Sequence, residues 1–151
     1  MTAERGHEQT RIGLHRAAVR WVMLECWRRG IRFHRGTRVV GDLVLEPKGL
    51  AVRVKVARQF PRRHDIKAGG KVYHYRYLTS FFNCGAHGHG HRLKPAFLVF
   101  VEVPGHAVWV VPSRVLGGVQ TFTVHHGQKR RGSRLDRYRE RWDLLGGKVA
   151  A

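Results

Sequence analysis

The segment Gly41-Asp42-Leu43-Val44-Leu45-Glu46-Pro47-Lys48-Gly49-Leu50-Ala51-Val52-Arg53-Val54-Lys55 places one acid and two cations on either side of a chain reversal. Glu46-Pro47-Lys48-Gly49 has the composition of a tight turn, and the residues flanking it alternate with a period of two, so the segment reads as a hairpin. If Asp42 faces Arg53 across it, Asp42, Arg53 and Lys55 project from one face; a slip of one residue separates them, because the side-chain period of a strand is two. Such a group suits phosphodiester chemistry. A carboxylate can hold a divalent metal beside the phosphate, and a cation can orient or polarise the attacking water. The same residues also make an ordinary cross-strand ion pair. Two further acids are placed to join them. Glu46 lies on the strand face of Asp42, four residues on, and Glu25 falls within an apolar stripe of the preceding helix and so points towards the body. Each has a plainer reading, Glu46 as a turn residue and Glu25 as a partner for a neighbouring Arg.

The elements that must position this hairpin are legible from periodicity. Residues 1–12 are polar and read as a flexible N-terminus. From Leu14 to Arg29, the residues Leu14, Ala17, Ala18, Trp21 and Leu24 recur at helical spacing, and Gly30 ends the helix. Ile31–Phe33, Val39–Leu45 and Leu50–Ala57 read as strands, Arg58–Gly70 as a basic loop, and Val72–Leu78 as a third strand of the hairpin region. Residues 81–95 read as a mobile loop. Ala96–Val103 is almost continuously apolar, as expected of a central strand, and Ala107–Val111 follows it. Pro112–Leu116 reads as a helical turn and Gln120–Val124 as a short strand. Leu135, Tyr138, Trp142 and Leu145 give a closing amphipathic helix. One domain over residues 13–145, with a tail at 146–151, accounts for the chain.

Composition narrows the partner. The chain of 151 residues carries 29 Lys and Arg against 10 Asp and Glu, a formal net charge of +19. That excess destabilises the compact state by self-repulsion unless a polyanion neutralises it. Arg outnumbers Lys, and its planar fork matches phosphate geometry. The basic residues run the whole length rather than forming one amphipathic helix, which favours nucleic acid over a membrane surface. No apolar run approaches the roughly 20 residues of a membrane span. The two cysteines form no C-x-x-C pair, so neither a disulfide framework nor a zinc ribbon is expected, and the cytoplasm is the expected compartment.

Other residues present candidate contacts. Arg62, Arg63, Lys129, Arg130 and Arg131 are placed for phosphates, or form solvated charge runs. Tyr73, Tyr75 and Tyr77 share one strand face, suited to base stacking or to packing against the body; Tyr75 is the central one. Cys84, His87, His89 and His91 are zinc-ligand types in one Gly-rich loop, with a spacing unlike that of zinc fingers; a solvated loop is the alternative.

The ordered set Arg28-Arg29-Gly30, Gly41-Asp42-Leu43, Val52-Arg53-Val54-Lys55-Val56-Ala57 and Ala96-Phe97-Leu98-Val99, closed by Arg134-Leu135-Asp136-Arg137-Tyr138 to Trp142, resembles the PD-(D/E)XK nuclease superfamily. The likeness is to its small Holliday-junction-resolvase-like and group I intron homing-endonuclease-like members, over residues 13–145. It implies an α+β, restriction-endonuclease-like core of α/β/α type: a central mixed sheet with an N-terminal and a C-terminal helix. It further implies Asp42 and the Val54 carbonyl as ligands of Mg²⁺ or Mn²⁺, Lys55 as the catalytic cation, and DNA, ahead of RNA, as the partner. Relatives that cut two strands often act as homodimers. The motif is degenerate. Where the family has Glu or Gln two residues before the Lys, this chain has Arg53, and where many members carry an acid early in the first helix, it has Arg16 and Arg20. The expectation is therefore a nucleic-acid-binding protein of endonuclease type. It either hydrolyses DNA with a metal or is a non-catalytic DNA- or RNA-binding module, or a basic component of a nucleoprotein assembly, needing no cofactor.

Overall fold

The computed structural model describes residues 2–37, 39–84, 94–126 and 134–147, with side chains from Thr10 onward. A first helix, α1 (Thr2–Arg28), is followed by strands β1 (Phe33–Arg35), β2 (Leu43–Leu45), β3 (Leu50–Arg58), β4 (Phe60–Ala68), β5 (Lys71–Asn83), β6 (Phe97–Val103) and β7 (Ala107–Pro112). A single helical turn α2 (Ser113–Leu116), strand β8 (Thr121–His126) and two 3-10 turns at Asp136–Tyr138 and Trp142–Leu145 complete the chain. The protein is α+β, and its central sheet is mixed. The order is β1-β2-β3-β6-β7, with β3 and β6 parallel and the other neighbours antiparallel. Strands β4, β5 and β8 form a second, antiparallel sheet of three.

Alternation along the central strands sends side chains into two cores. Val99 and Val101 of β6 and Val108 and Val110 of β7 pack with Ala18, Val22 and Cys26 of α1 and with Trp142 and Leu145. Leu98, Phe100, Trp109 and Val111 point the other way, against Phe82 of β5, Phe122 of β8, Leu116 and Leu135. Strands buried on both faces need apolar residues at every position, which is why β6 reads as an unbroken run. Phe82 joins the sheets, with its ring stacked on Phe122 at 5.6 Å and edge-on to Phe100 at 5.1 Å.

Five expectations are corrected. Helix α1 begins at Thr2, so the backbone of residues 2–12 continues the helix instead of preceding it. Its inward face is also rotated from the expected stripe: Ala18, Val22, Glu25 and Cys26 are buried, while Leu24 is 50% exposed. The buried Glu25 is tolerated because Arg28 and Arg29 both pair with its carboxylate. The helix does end as expected. Gly30 takes φ +68, and the N–H of Ile31 donates to the Cys26 carbonyl at 2.9 Å, a Schellman closure.

The expected basic loop at 58–70 is instead strand β4, paired residue by residue with β5 from Phe60↔Thr79 to Ala68↔Lys71. All nine residues of β4 are exposed, so it carries no apolar alternation by which to recognise it. Phe81–Asn83, expected in a loop, end β5; residues 85–93, with His87, His89 and His91, lie outside the described residues. So do Lys129, Arg130 and Arg131. The closing segment is not a continuous helix. Glu140 takes φ +55, its N–H donates to the Val108 carbonyl at 2.9 Å, and its carboxylate accepts hydrogen bonds from the Val108 N–H and the Trp142 indole. The chain is thereby pinned along β7 between the two turns.

One fully buried acid ties the sheets together. Glu102 of β6 is 0% exposed; its carboxylate accepts from the Gln59 amide at 2.8 Å and from His126 Nε2 at 2.7 Å. Burial pushes this carboxyl up, but the hydrogen bonds from His126 and Gln59 outweigh it and hold the group below the usual value of 4.5.

Phe82→Ala should destabilise the fold by about 3–5 kcal/mol, because both sheets lose the same ring. Phe81→Ala, at a position 51% exposed, should change stability by less than about 0.5 kcal/mol. Urea unfolding of the two variants checks the contrast.

Candidate functional site

The cleft that holds the expected chemistry lies between α1 and the start of the central sheet. The loop before β2 shapes it. Glycines at 36 and 41 let two stretches of backbone meet: a side chain on Gly36 would collide with the Gly41 carbonyl, and one on Gly41, whose φ is +153, would sit 2.9 Å from the Val52 carbonyl. Asp42 is thereby laid against β3. Of the two registers left open by the sequence, the ladder has the one that sets Asp42 level with Arg53, with Leu43 opposite Val52, but it stops there. The Asp42 N–H donates to the Val52 carbonyl at 2.9 Å, and its Oδ2 accepts the Val54 N–H at 2.7 Å.

Neither cation expected to pair with Asp42 does so. The other carboxylate oxygen faces His15 of α1, whose Nε2 is 3.5 Å from Oδ1 and 3.2 Å from the Val54 carbonyl. The hydrogen bond to Asp42 raises the imidazole above its ordinary 6.5 by more than burial lowers it. Arg53 is only 9% exposed. Its Nη2 donates to the Val39 carbonyl at 3.4 Å, and its buried Nε has no partner among the described residues. Burial, and then the neighbouring Arg53, draws the Lys55 ammonium below its ordinary 10.5, against the pull of Asp42.

A cleft of about 480 Å³ opens over these groups, lined by His15, Arg16 and Arg20 of α1, by Arg35, and by Arg53 and Lys55 of β3, with Asp42 as its single carboxylate. The helix therefore does face the site, but with basic residues where the resemblance implies an acid. Glu25 and Glu46 do not line it. Glu25 is held by Arg28 and Arg29, and Glu46 lies beside His34, 3.1 Å from its Nδ1. A divalent cation would meet one carboxylate and one carbonyl, both already hydrogen-bonded to each other's neighbours, with His15 between them and a guanidinium alongside. Hard cations need several free oxygens, so the residues do not fit one. Among the described residues, no three His, Cys, Asp or Glu side chains converge to hold a metal.

Sequence reasoning did not single out His15 or Arg35. The signal for His15 was present as a helical stripe, since His15, Val19 and Met23 recur every four residues and all reach the cleft. Cys84 lies beside Lys55, and burial raises its thiol despite that cation, the environment of an inert cysteine. An adjoining recess is lined by Leu14, Lys55, Arg58, Phe81 and Asn83 among others, so the cleft continues onto β5.

From there, β4 and β5 leave the body as a two-stranded ribbon. One face carries Arg62, His64 and Ile66 opposite Tyr77, Tyr75 and Tyr73; the other carries Arg63 and Asp65 opposite Arg76 and His74. Tyr73 and Tyr75 are each 46% exposed and so do not pack into a core. Arg63 Nε donates to Asp65 Oδ1 at 2.9 Å, and His74 Nδ1 lies 2.6 Å from the same oxygen. Those two contacts, His74 foremost, hold the Asp65 carboxyl below its usual range.

Asp42→Asn should return the His15 imidazole towards 6.5, as read by NMR titration of its ring protons in EDTA. Because the folded value lies above the unfolded one, the stabilisation from this pair is complete below pH 6.5 and is lost as pH rises through the folded value. The stability difference between wild type and Asp42→Asn should shrink over the same window.

No family model matches the sequence, and no curated protein does. Among solved structures, the fold is similar to that of a bacterial homing endonuclease, I-Ssp6803I, with a TM-score of 0.61 at 19% sequence identity, over 87% of this chain and 88% of that one. At that identity, the likeness speaks for the fold: the mixed sheet, its N-terminal helix and its hairpin form a nuclease-like core.

Proposed function

We infer that the chain is a DNA-binding protein on an endonuclease-like core, and that its cleft takes a backbone phosphate directly with cations. The observation that carries this reading is the lining of the cleft: Arg16, Arg20, Arg35, Arg53 and Lys55 around Asp42 alone. Cations crowded into a half-buried space repel one another, and at Lys55 this adds to burial, the larger cause of its lowered ammonium. A phosphate diester relieves that repulsion. The guanidinium groups offer it paired N–H donors in a geometry that suits its oxygens. Asp42 acts here as a positioning group. By holding the Val54 N–H and His15, it ties α1 to β3 at the mouth of the cleft. The likeness to a homing endonuclease's fold directs the choice of polyanion towards duplex DNA.

A second reading, metal-dependent hydrolysis, is what the nuclease resemblance implies for Asp42, the Val54 carbonyl and Lys55, which share one cleft, but it requires His15 to leave both oxygens. One assay separates the two. Supercoiled and branched DNA are incubated with the protein in Mg²⁺ or Mn²⁺, and binding is measured in parallel in EDTA. Binding that persists in EDTA without nicking supports the first reading. Nicking that disappears in both Asp42→Ala and Lys55→Ala would establish the second.

The salt dependence of affinity for duplex DNA should be steep, with each phosphate neutralised adding about 0.9 to the slope of log K against log salt. Arg20→Ala and Lys55→Ala should each reduce that slope by about one and weaken binding to all sequences alike. A slope near zero for the wild type would refute the phosphate contacts.

A further inference from the structure

We propose that the ribbon of β4 and β5 enters the major groove of duplex DNA with the face that carries Arg62, His64, Tyr73 and Tyr75 turned to the base edges. This rests on the reading of the cleft as a phosphate site and extends it from backbone binding to base recognition.

Four observations converge on it. The first is shape. Two antiparallel strands about 4.8 Å apart form a ribbon narrow enough for a groove about 12 Å wide, which admits a two-stranded β-ribbon as readily as a helix. The nine residues of β4 reach about 30 Å at roughly 3.4 Å per residue, long enough to lie along the groove over several base pairs. The second is exposure. Every residue of β4 and the first six of β5 are exposed, so the ribbon has no packing role over that length.

The third is the difference between its two faces. Arg63, Asp65 and His74 satisfy one another on one face. The opposite face carries no acid, and Arg62 has no ion pair among the described residues. An Arg with its fork free can take guanine O6 and N7 together, and aromatic and apolar side chains such as Tyr73, Tyr75 and Ile66 can meet thymine methyl groups. A carboxylate on that face would instead be set against phosphates.

The fourth is continuity. On β5, Tyr73, Tyr75, Tyr77, Thr79, Phe81 and Asn83 alternate onto the same side, and Phe81 and Asn83 line the recess that holds Lys55. The Tyr77 ring, edge-on to His125 at 5.3 Å, covers the root. A duplex with a phosphate at Lys55 thus lies against the tyrosine face, not the Asp65 face.

The test compares four probes by fluorescence anisotropy: a mixed-sequence 30-base-pair duplex, one of its single strands, the same duplex with glucosylated 5-hydroxymethylcytosine, whose sugars fill the major groove, and the plain duplex preloaded with netropsin in its minor groove. Glucosylation should weaken wild-type binding about tenfold or more, and netropsin should leave it unchanged. The double variant Arg62→Ala/Tyr75→Ala, at exposed positions, should bind the plain and glucosylated duplexes alike. Arg63→Ala/Arg76→Ala should keep the glucosylation effect. Equal wild-type affinity for plain and glucosylated duplexes, displacement by netropsin, or tighter binding to the single strand overturns the placement of the ribbon while leaving the cleft reading intact. Absence of binding to the plain duplex overturns both.

Discussion

The parallel ladder between β3 and β6, from Val52↔Phe97 to Arg58↔Val103, is the constraint from which the rest of the structure follows. Two parallel neighbours cannot be joined by a tight turn, so a crossover must carry the chain back to the start of β6. In α/β proteins that crossover is ordinarily a helix packed on the sheet. Here it is residues 59–96, most of whose described part forms β4 and β5. Among its described residues, the end of β5 packs on the central sheet, through Phe82, while β4 and the first half of β5 project from the body. The same ladder presents the backbone of Val54 beside α1, where Asp42 and His15 meet it. Both the ribbon and the cleft are thus consequences of one pairing.

The electrostatics of the cleft separate this chain from the nuclease pattern it resembles. A degenerate motif is often described by what it lacks; here the replacement has its own structure. Arg53 is buried, and His15 bridges the two oxygens that the resemblance would give to a metal. A buried guanidinium is costly unless something compensates it, and Asp42 does not, its oxygens being taken by Val54 and His15. The imbalance favours an anionic guest over a cationic one.

How much of this was legible in the sequence depended on whether an element is buried. Strands β3, β6 and β7 and the Gly30 stop were readable because core packing and a left-handed turn impose residue types on them. The hairpin itself was readable for the same reason, but its register was left open between two alternatives and is settled by the pairing of Leu43 with Val52. Strand β4 was not, since a strand exposed on both faces has no alternation to show. The inward turn of Glu25 and its Arg partners were readable, but the stripe was misjudged at Ala17 and Leu24, which are exposed, while Val22 and Cys26 are buried instead. The closing helix was misjudged because Glu140 draws the chain onto the edge of β7 at a position with positive φ. His15 went unnoticed although its stripe with Val19 and Met23 marks the face that reaches the cleft; its partners lie 27 and 39 residues away, at Asp42 and Val54.

The outer edge of β4 has a consequence for the protein without its ligand. Among the described residues it leaves one side of a nine-residue strand unpaired, and such an edge is a template on which a second chain can add a strand. Pro61 removes one donor from it, and the charges of Arg62, Arg63 and Lys67 repel an incoming copy. The side chains suited to a polyanion are thus also those that keep the free protein from polymerising. Raising the ionic strength screens this repulsion, so the bare edge is least protected against aggregation at high salt.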